Sequence, residues 1–326
     1  MILPYLLRLL CLCFSSFFVL NAALGLLVRV SSRSAIRVAG SKTPVAAARF
    51  LLALRMFPFA LAALFVLGLC VPSYLWLEPA ATAERVGLVC VILGMLGALA
   101  WALSLVRGAH SIFVSLRHDR LSGRAGFETR ILGNSSELIV FENESPVLAV
   151  SGLLRPRLLI SRNVLGALSA EELDAALSHE RAHHASRDNV KRLLLLLVPD
   201  VFPFVRPFRP LESAWAKFAE WAADDQAAAG DSRRALSLAA ALVNVARMGS
   251  SPRLPFLSTS LVPCDRDLFA RVDRLLHPAP VFPARAWPAR RSSRIIALLL
   301  LGSAVFLLAA PATLSFVHEL LEILLH

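Results

Sequence analysis

The chain has 326 residues, 57% of them hydrophobic, with a mean hydropathy of +0.65 and a formal net charge of +11. Apolarity on that scale excludes an ordinary water-soluble domain as the reading of the whole chain. A pI near 10.6 would suit a nucleic-acid partner. However, of 34 Lys and Arg only Arg8 and Arg85 fall outside segments 29–55 and 107–294, so anionic inner-leaflet lipid explains the charge and no direct nucleic-acid binding is expected.

In chain order, the first signals are membrane spans. Four runs, 9–28, 56–77, 86–106 and 295–317, hold no Asp, Glu, Lys, Arg or His. Each approaches or exceeds the roughly 20 residues a helix needs to cross a bilayer. The first could be a cleaved leader, with small residues at Asn21-Ala22-Ala23, but it is long for one and basic residues follow it at once. Segment 29–55 carries six basic residues and no acid, which assigns it as a basic cytoplasmic loop. Link 78–85 has two acids and one base, and the tail 318–326 has Glu319 and Glu322 with no Lys or Arg. Both are therefore expected outside. The reading is a multi-pass protein of a bacterial inner membrane, both termini external and segment 107–294 cytoplasmic.

The inner segment is large enough for one core. After a polar stretch, 117–130, short strands are expected at 137–141, 147–152 and 157–160, with Gly152 and Pro156 shaping a turn. An edge strand here would let an extended peptide add by backbone hydrogen bonds. Ser169-Ala-Glu-Glu172 is a capping box that starts a helix. On that helix stands His179-Glu180-Arg181-Ala182-His183, an H-E-x-x-H. Residues four apart share a helix face, so both imidazoles can reach one metal ion while Glu180 faces a water. That is the donor pattern of a catalytic zinc site, with Glu180 as general base. The bland alternative is a solvated helix with two surface histidines.

A third protein ligand is needed, and Glu220 is the best candidate. It lies in an alanine-rich helix with Ser213 as N-cap and a stop at Gly230. Asp224, four residues on, shares its face. One of the two could hold the metal while the other accepts a hydrogen bond from a ligand histidine. Alternatively both are solvated charges. Arg187 and Asp188 either support the site or form the polar end of the first helix. His184 points elsewhere, and His110, His118 and His277 have no ligand spacing. Between the two helices, segment 193–208 is apolar but broken by prolines and charges. It fits a hairpin dipping into the inner leaflet or one buried in a core. A short helix over 267–276 and a proline-rich linker over 278–288 lead to the last run. The five cysteines form no redox or metal pair. No nucleophile elbow, Walker loop or dinucleotide fingerprint is present.

Taken together, 151–161 (SGLLRPRLLIS), 168–173 (LSAEEL), 177–184 (LSHERAHH), Arg187-Asp188 and Glu220-x-x-x-Asp224 resemble the BlaR/MecR-type membrane zinc metallopeptidases. The order of elements is similar too. The resemblance implies Zn2+ at His179, His183 and Glu220 and Glu180 as the catalytic base; Asp188 and Asp224 are the candidate supports to the ligands. It implies an α-helical membrane protein with four transmembrane helices and a cytoplasmic α+β zinc metallopeptidase domain. Its implied partners are the bilayer and a protein substrate, a BlaI-type transcriptional repressor. More distantly the core resembles the HtpX and CAAX-protease type, which makes membrane-protein quality control the alternative role; an inactive scaffold is a third. Family members that sense β-lactams carry a penicillin-binding domain beyond the last span. This chain ends at His326, so a separate sensor protein is expected.

Overall fold

The computed structural model describes residues 4–78, 86–132, 136–142, 146–151, 157–200, 207–249, 259–261, 265–277 and 311–325. Among these, three helical segments are long and apolar enough to cross a membrane. The first, α1 (Tyr5–Gly40), is 36 residues, about 54 Å by the helical rise. It therefore overruns the roughly 30 Å hydrocarbon core. After a break of three residues, α2 (Pro44–Phe65) returns and continues through a π turn, Val66–Cys70, into α3 (Val71–Leu77). The third is the first part of α4 (Leu88–Ala125). At the end far from the domain, Arg8 of α1 meets Glu78 at 3.5 Å, both buried. Close packing of α1 on α4 depends on missing side chains: a Cβ at Gly97 would lie 2.4 Å from the Phe14 carbonyl oxygen.

One expectation is corrected here. Segment 29–55 is not a loop; only residues 41–43 interrupt a helical hairpin that carries its six basic residues. Nothing stops α1 at its membrane end, because no Gly or Pro follows until Gly40. Helix α4 runs on through 117–125 of the polar stretch, and β1 takes 126–130.

The domain then forms a five-stranded sheet from β1 (Gly126–Leu132), β2 (Ser136–Phe141), β3 (Leu148–Ser151), β4 (Arg157–Ser161) and β5 (Thr259–Ser260), in the order β1-β2-β4-β3-β5. Only β2 and β4 run parallel. The three expected strands are present; β1 was masked by its charged composition. Strand β3 is not free at its edge, since two-residue β5 pairs with Ala149 and Val150.

Short α5 (Arg162–Ala167) leads to α6 (Ala170–Ser186), α7 (Asp188–Leu197), α8 (Arg209–Ala228) and α9 (Ser232–Arg247), followed by α10 (Asp265–Leu276). Leu148, Leu158 and Ile160 of the sheet meet Ala176 and Leu177 of α6 and Leu238 and Leu242 of α9 in one buried core. A second core joins domain to hairpin: Trp215 and Phe218 of α8 pack with Ala47 and Leu51 of α2 and Val28 of α1. Helix α8 begins four residues before the expected Ser213 cap. Pro210 supplies its first turn, where a missing N–H costs nothing.

The described parts of segment 193–208, residues 193–200 and 207–208, pack on the spans. Asn21 Nδ2, inside the first apolar run, donates to the Pro199 carbonyl at 3.0 Å, and a Cβ at Gly108 would meet Leu197. Residues 201–206, the Gly152–Pro156 turn, linker 278–288 and 295–310 of the fourth run lie outside the described residues. The remainder of that run belongs to α11 (Pro311–Leu325), which continues past the expected boundary at 317. Its Leu314, Val317 and Leu321 pack in the core formed by α1 to α4, and its Leu314 carbonyl accepts from Ser73.

Candidate metal centre

Helix α6 starts as its sequence demands. The Ser169 side chain accepts from the Glu172 N–H, and Glu172 accepts from the Ser169 N–H. From that start the core face falls on Ala175, Ala176 and Leu177. The next turn carries His179 and His183, both fully buried and with ring centroids 4.7 Å apart. Their Nε2 atoms are 3.1 Å apart. Helix α8 crosses α6 and brings Glu220 Oε2 to 3.5 Å from each. A point equidistant from these three atoms lies about 2 Å from each, the ordinary zinc-to-ligand distance. These are the three groups among the described residues that could hold a metal ion together.

The second nitrogen of each imidazole also faces a carboxylate. His179 Nδ1 lies 2.9 Å from Asp224 Oδ1, and His183 Nδ1 2.7 Å from Asp188 Oδ2. Such contacts fix the tautomer that leaves Nε2 free to ligate. Asp188 gets there through a backbone break: Arg187 stands in the left-handed region at φ 54°, ending α6 and folding α7 back. For a residue with a Cβ that conformation costs about 1 kcal/mol. Of the pair whose role was open, Asp188 supports the histidine, whereas exposed Arg187 is the hinge. His184, His110 and His277 are exposed and away from the site; His118 has no described side chain.

Excess negative charge dominates the electrostatics. Burial pulls both histidines down, but the opposing carboxylates win. Asp224 and Glu220 hold His179 raised, and the Glu220 charge with the Asp188 hydrogen bond pushes His183 up to about 10. Burial pushes Glu220 up, yet the facing histidines and Arg271 leave it well below the usual carboxylate range. A pocket that raises its own histidines this way is one that a divalent cation would occupy by displacing protons. Glu180 behaves differently. Burial, with the nearby Glu220 charge, pushes it up to about 7 against the pull of the two histidines and Arg271, and both its oxygens are buried with no hydrogen-bond partner. It is the one carboxylate of the cluster poised to exchange a proton near neutrality.

Sequence reading missed Arg271. This residue of α10 is buried, grips Asp224 with Nε at 2.9 Å and Nη2 at 2.6 Å, and lies 3.2 Å from Glu220 Oε2. Its Nη1 also donates to the Leu261 carbonyl beside β5 at 2.7 Å. A lone arginine 47 positions after Asp224 gives no spacing signal; only the packing of α10 on α8 and α9 brings it in. Lys191, one turn into α7, holds Asp188 at 2.7 Å in the same way.

Family comparison decides what this arrangement belongs to. The BlaR1 peptidase M56 family model matches residues 83–275, from the third span through α10. The chain belongs to that family. No curated protein matches it. Membership in M56 makes it a metallopeptidase by kind, and the matched range contains every residue of the buried cluster described above. The three apolar helices agree with a membrane protein.

Proposed function

We propose that this M56 protein is a zinc endopeptidase that cuts peptide bonds at the cytoplasmic face of the membrane. One observation carries the reading: three buried donor atoms converge on one point, and beside them is an unpaired carboxylate with its pKa near 7. Two imidazoles and one carboxylate are the donor set of catalytic zinc in hydrolases. His179, His183 and Glu220 would hold the ion, which when bound supplies Lewis acidity to a water and to the scissile carbonyl.

The chain's own residues do the rest. Glu180 takes a proton from the attacking water and returns it to the amine nitrogen as the C–N bond breaks. Burial suits it to that task, because it raises the carboxyl above the usual carboxylate range in the metal-free site and so favours proton uptake. Asp224 and Asp188 keep the two imidazoles oriented, and Arg271 holds Asp224 in place. The short strand β5 lies along β3 next to the metal helix, so a substrate strand would enter at this end of the sheet.

For substrate, the family resemblance favours a BlaI-type repressor, cut to release a regulon. The test is a proteome comparison between cells carrying the native chain and cells carrying Glu180→Gln. A small DNA-binding protein that is processed only with the native chain supports the regulatory reading. Accumulation of many damaged membrane proteins in the variant would replace it with a quality-control role, and identical proteomes would refute proteolysis.

A further inference from the structure

Spacing along the chain pairs no cysteines, yet packing of the spans does. Cys11 of α1 and Cys90 of α4, 79 positions apart, bring their sulfurs to 3.6 Å. Closing that gap to the roughly 2 Å of a disulfide needs about 0.8 Å from each sulfur. The approach comes from the face that α4 turns to α1, where Cys90, Gly94 and Gly97 are buried at helical spacing. A Cβ at Gly94 would stand 3.1 Å from both the Cys11 sulfur and the Cys11 carbonyl oxygen, and 3.5 Å from its Cα. The two backbones thus come closest beside Cys11, as the short Cα separation of a disulfide requires.

Local hydrogen bonds leave the two sulfurs facing each other. The Cys11 thiol donates to the Cys90 carbonyl at 3.4 Å. Ser15 gives its own proton to the Leu12 carbonyl at 3.1 Å, so its oxygen accepts the Cys90 thiol proton at 3.6 Å. Access differs between the two. Cys90 is fully buried, whereas Cys11 is half-buried beside exposed Leu7 and Leu10. Arg8 and Glu78 mark the end of the spans far from the domain, and Cys11 lies three residues, about 4.5 Å, deeper. An agent dissolved in lipid therefore reaches the Cys11 sulfur first. A metal is a poorer fit, because the described residues bring together no third donor here; their one group of three is His179, His183 and Glu220. Cys13, two residues on and so on the other side of α1, bonds Cys70 instead.

We infer that Cys11 and Cys90 are a modification site, which a lipid hydroperoxide oxidises to a reversible disulfide stapling α1 to α4. The Cys11 sulfur attacks the terminal peroxide oxygen. The O–O bond breaks and the departing alkoxide takes the thiol proton, leaving a sulfenic acid and an alcohol. The Cys90 sulfur then attacks the Cys11 sulfur, the S–O bond breaks, and hydroxide leaves with the Cys90 proton as water. Two thiols together lose two electrons and one hydroperoxide gains them. Both helices run on to the domain, α1 through Val28 against α8 and α4 through Gly108 against Leu197 of α7. The staple therefore joins, at their far end, the two supports of helices that carry Glu220 and Asp188.

The test uses the full chain in its native membranes, treated with cumene hydroperoxide, then denatured, alkylated and mapped by peptide mass spectrometry without reductant. A peptide pair joining Cys11 to Cys90 should appear, alkylatable thiols should fall by two, and a phosphine reductant should restore both. Cys13→Ser should keep the link. Cys90→Ser should lose it and leave on Cys11 a sulfenic acid that dimedone traps, whereas Cys11→Ser should leave none on Cys90. A dimedone adduct on Cys90 in Cys11→Ser would overturn the order of attack. Oxidation confined to Cys13 and Cys70, links to Cys264 or between two chains, or thiols untouched by the reagent would each overturn the site.

Discussion

Replacing Glu180 by Gln should separate chemistry from stability in one measurement. In the metal-free protein the Glu180 carboxyl has its pKa raised by burial from 4.5 to about 7. A carboxylate raised in the fold binds its proton more tightly there than in the unfolded chain, so folding loses stability as pH climbs from 4.5 to 7 and stays penalised above. At 1.36 kcal/mol per unit, the full penalty at pH 8 is about 3 kcal/mol, falling to about 1 kcal/mol at pH 5. Gln keeps the shape and carries no charge to bury. Metal-free Glu180→Gln should therefore unfold about 6–12 °C above the parent at pH 8, and much closer to it at pH 5. Tryptophan fluorescence melts at the two pH values read this directly. Zinc content of the loaded variant should be unchanged while peptide cleavage is abolished. A gain of the same size at both pH values would show that the stabilisation is not electrostatic. No gain at pH 8 would show that Glu180 is solvated rather than buried, and the acid-base assignment would fall with it.

Other outcomes follow from the same cluster. Metal analysis should find close to one zinc per chain, lost in His183→Ala and weakened in Glu220→Ala. Because His183 is held up to about 10, zinc must displace a proton there, so affinity should fall as pH drops from 9 to 6; a flat profile would refute that coupling. Arg271→Ala leaves buried Asp224 without its guanidinium and removes the nearer of two arginines from Glu220, which should cost about 3–5 kcal/mol in a thermal melt. Arg271→Lys should recover only part of this, since an ammonium cannot make the two-pronged contact to Asp224. For topology, a cysteine at exposed Ser41, in the turn between α1 and α2, should resist a membrane-impermeant thiol reagent in intact cells. Labelling from outside would invert the orientation.

Much of this molecule is written in local sequence. Runs without a charged side chain mark the spans because an unpaired charge in hydrocarbon is costly. A capping box and the four-residue repeat of His179 and His183 define a helix face, since the repeat lies close to one helical turn. Glu220 and Asp224 carry the same signal on α8. What local sequence left open is which residues answer each other across the fold. It allowed either carboxylate of α8 to be the metal donor; the crossing of α8 over α6 directs Glu220 to the two Nε2 atoms and Asp224 to an Nδ1. It left Asp188 undecided, because its role depends on one left-handed residue, Arg187, that no propensity announces. It gave no hint of Arg271, which enters only through the packing of α10. It also ended α1 and α4 at the membrane edge, where their apolar runs stop, although both helices continue, α1 through docking against the domain. Helical hydrogen bonds and hydrophobic periodicity act over a few residues, so they are legible along the chain. Ion pairs between distant elements depend on where tertiary packing places them, and only the folded structure decides that.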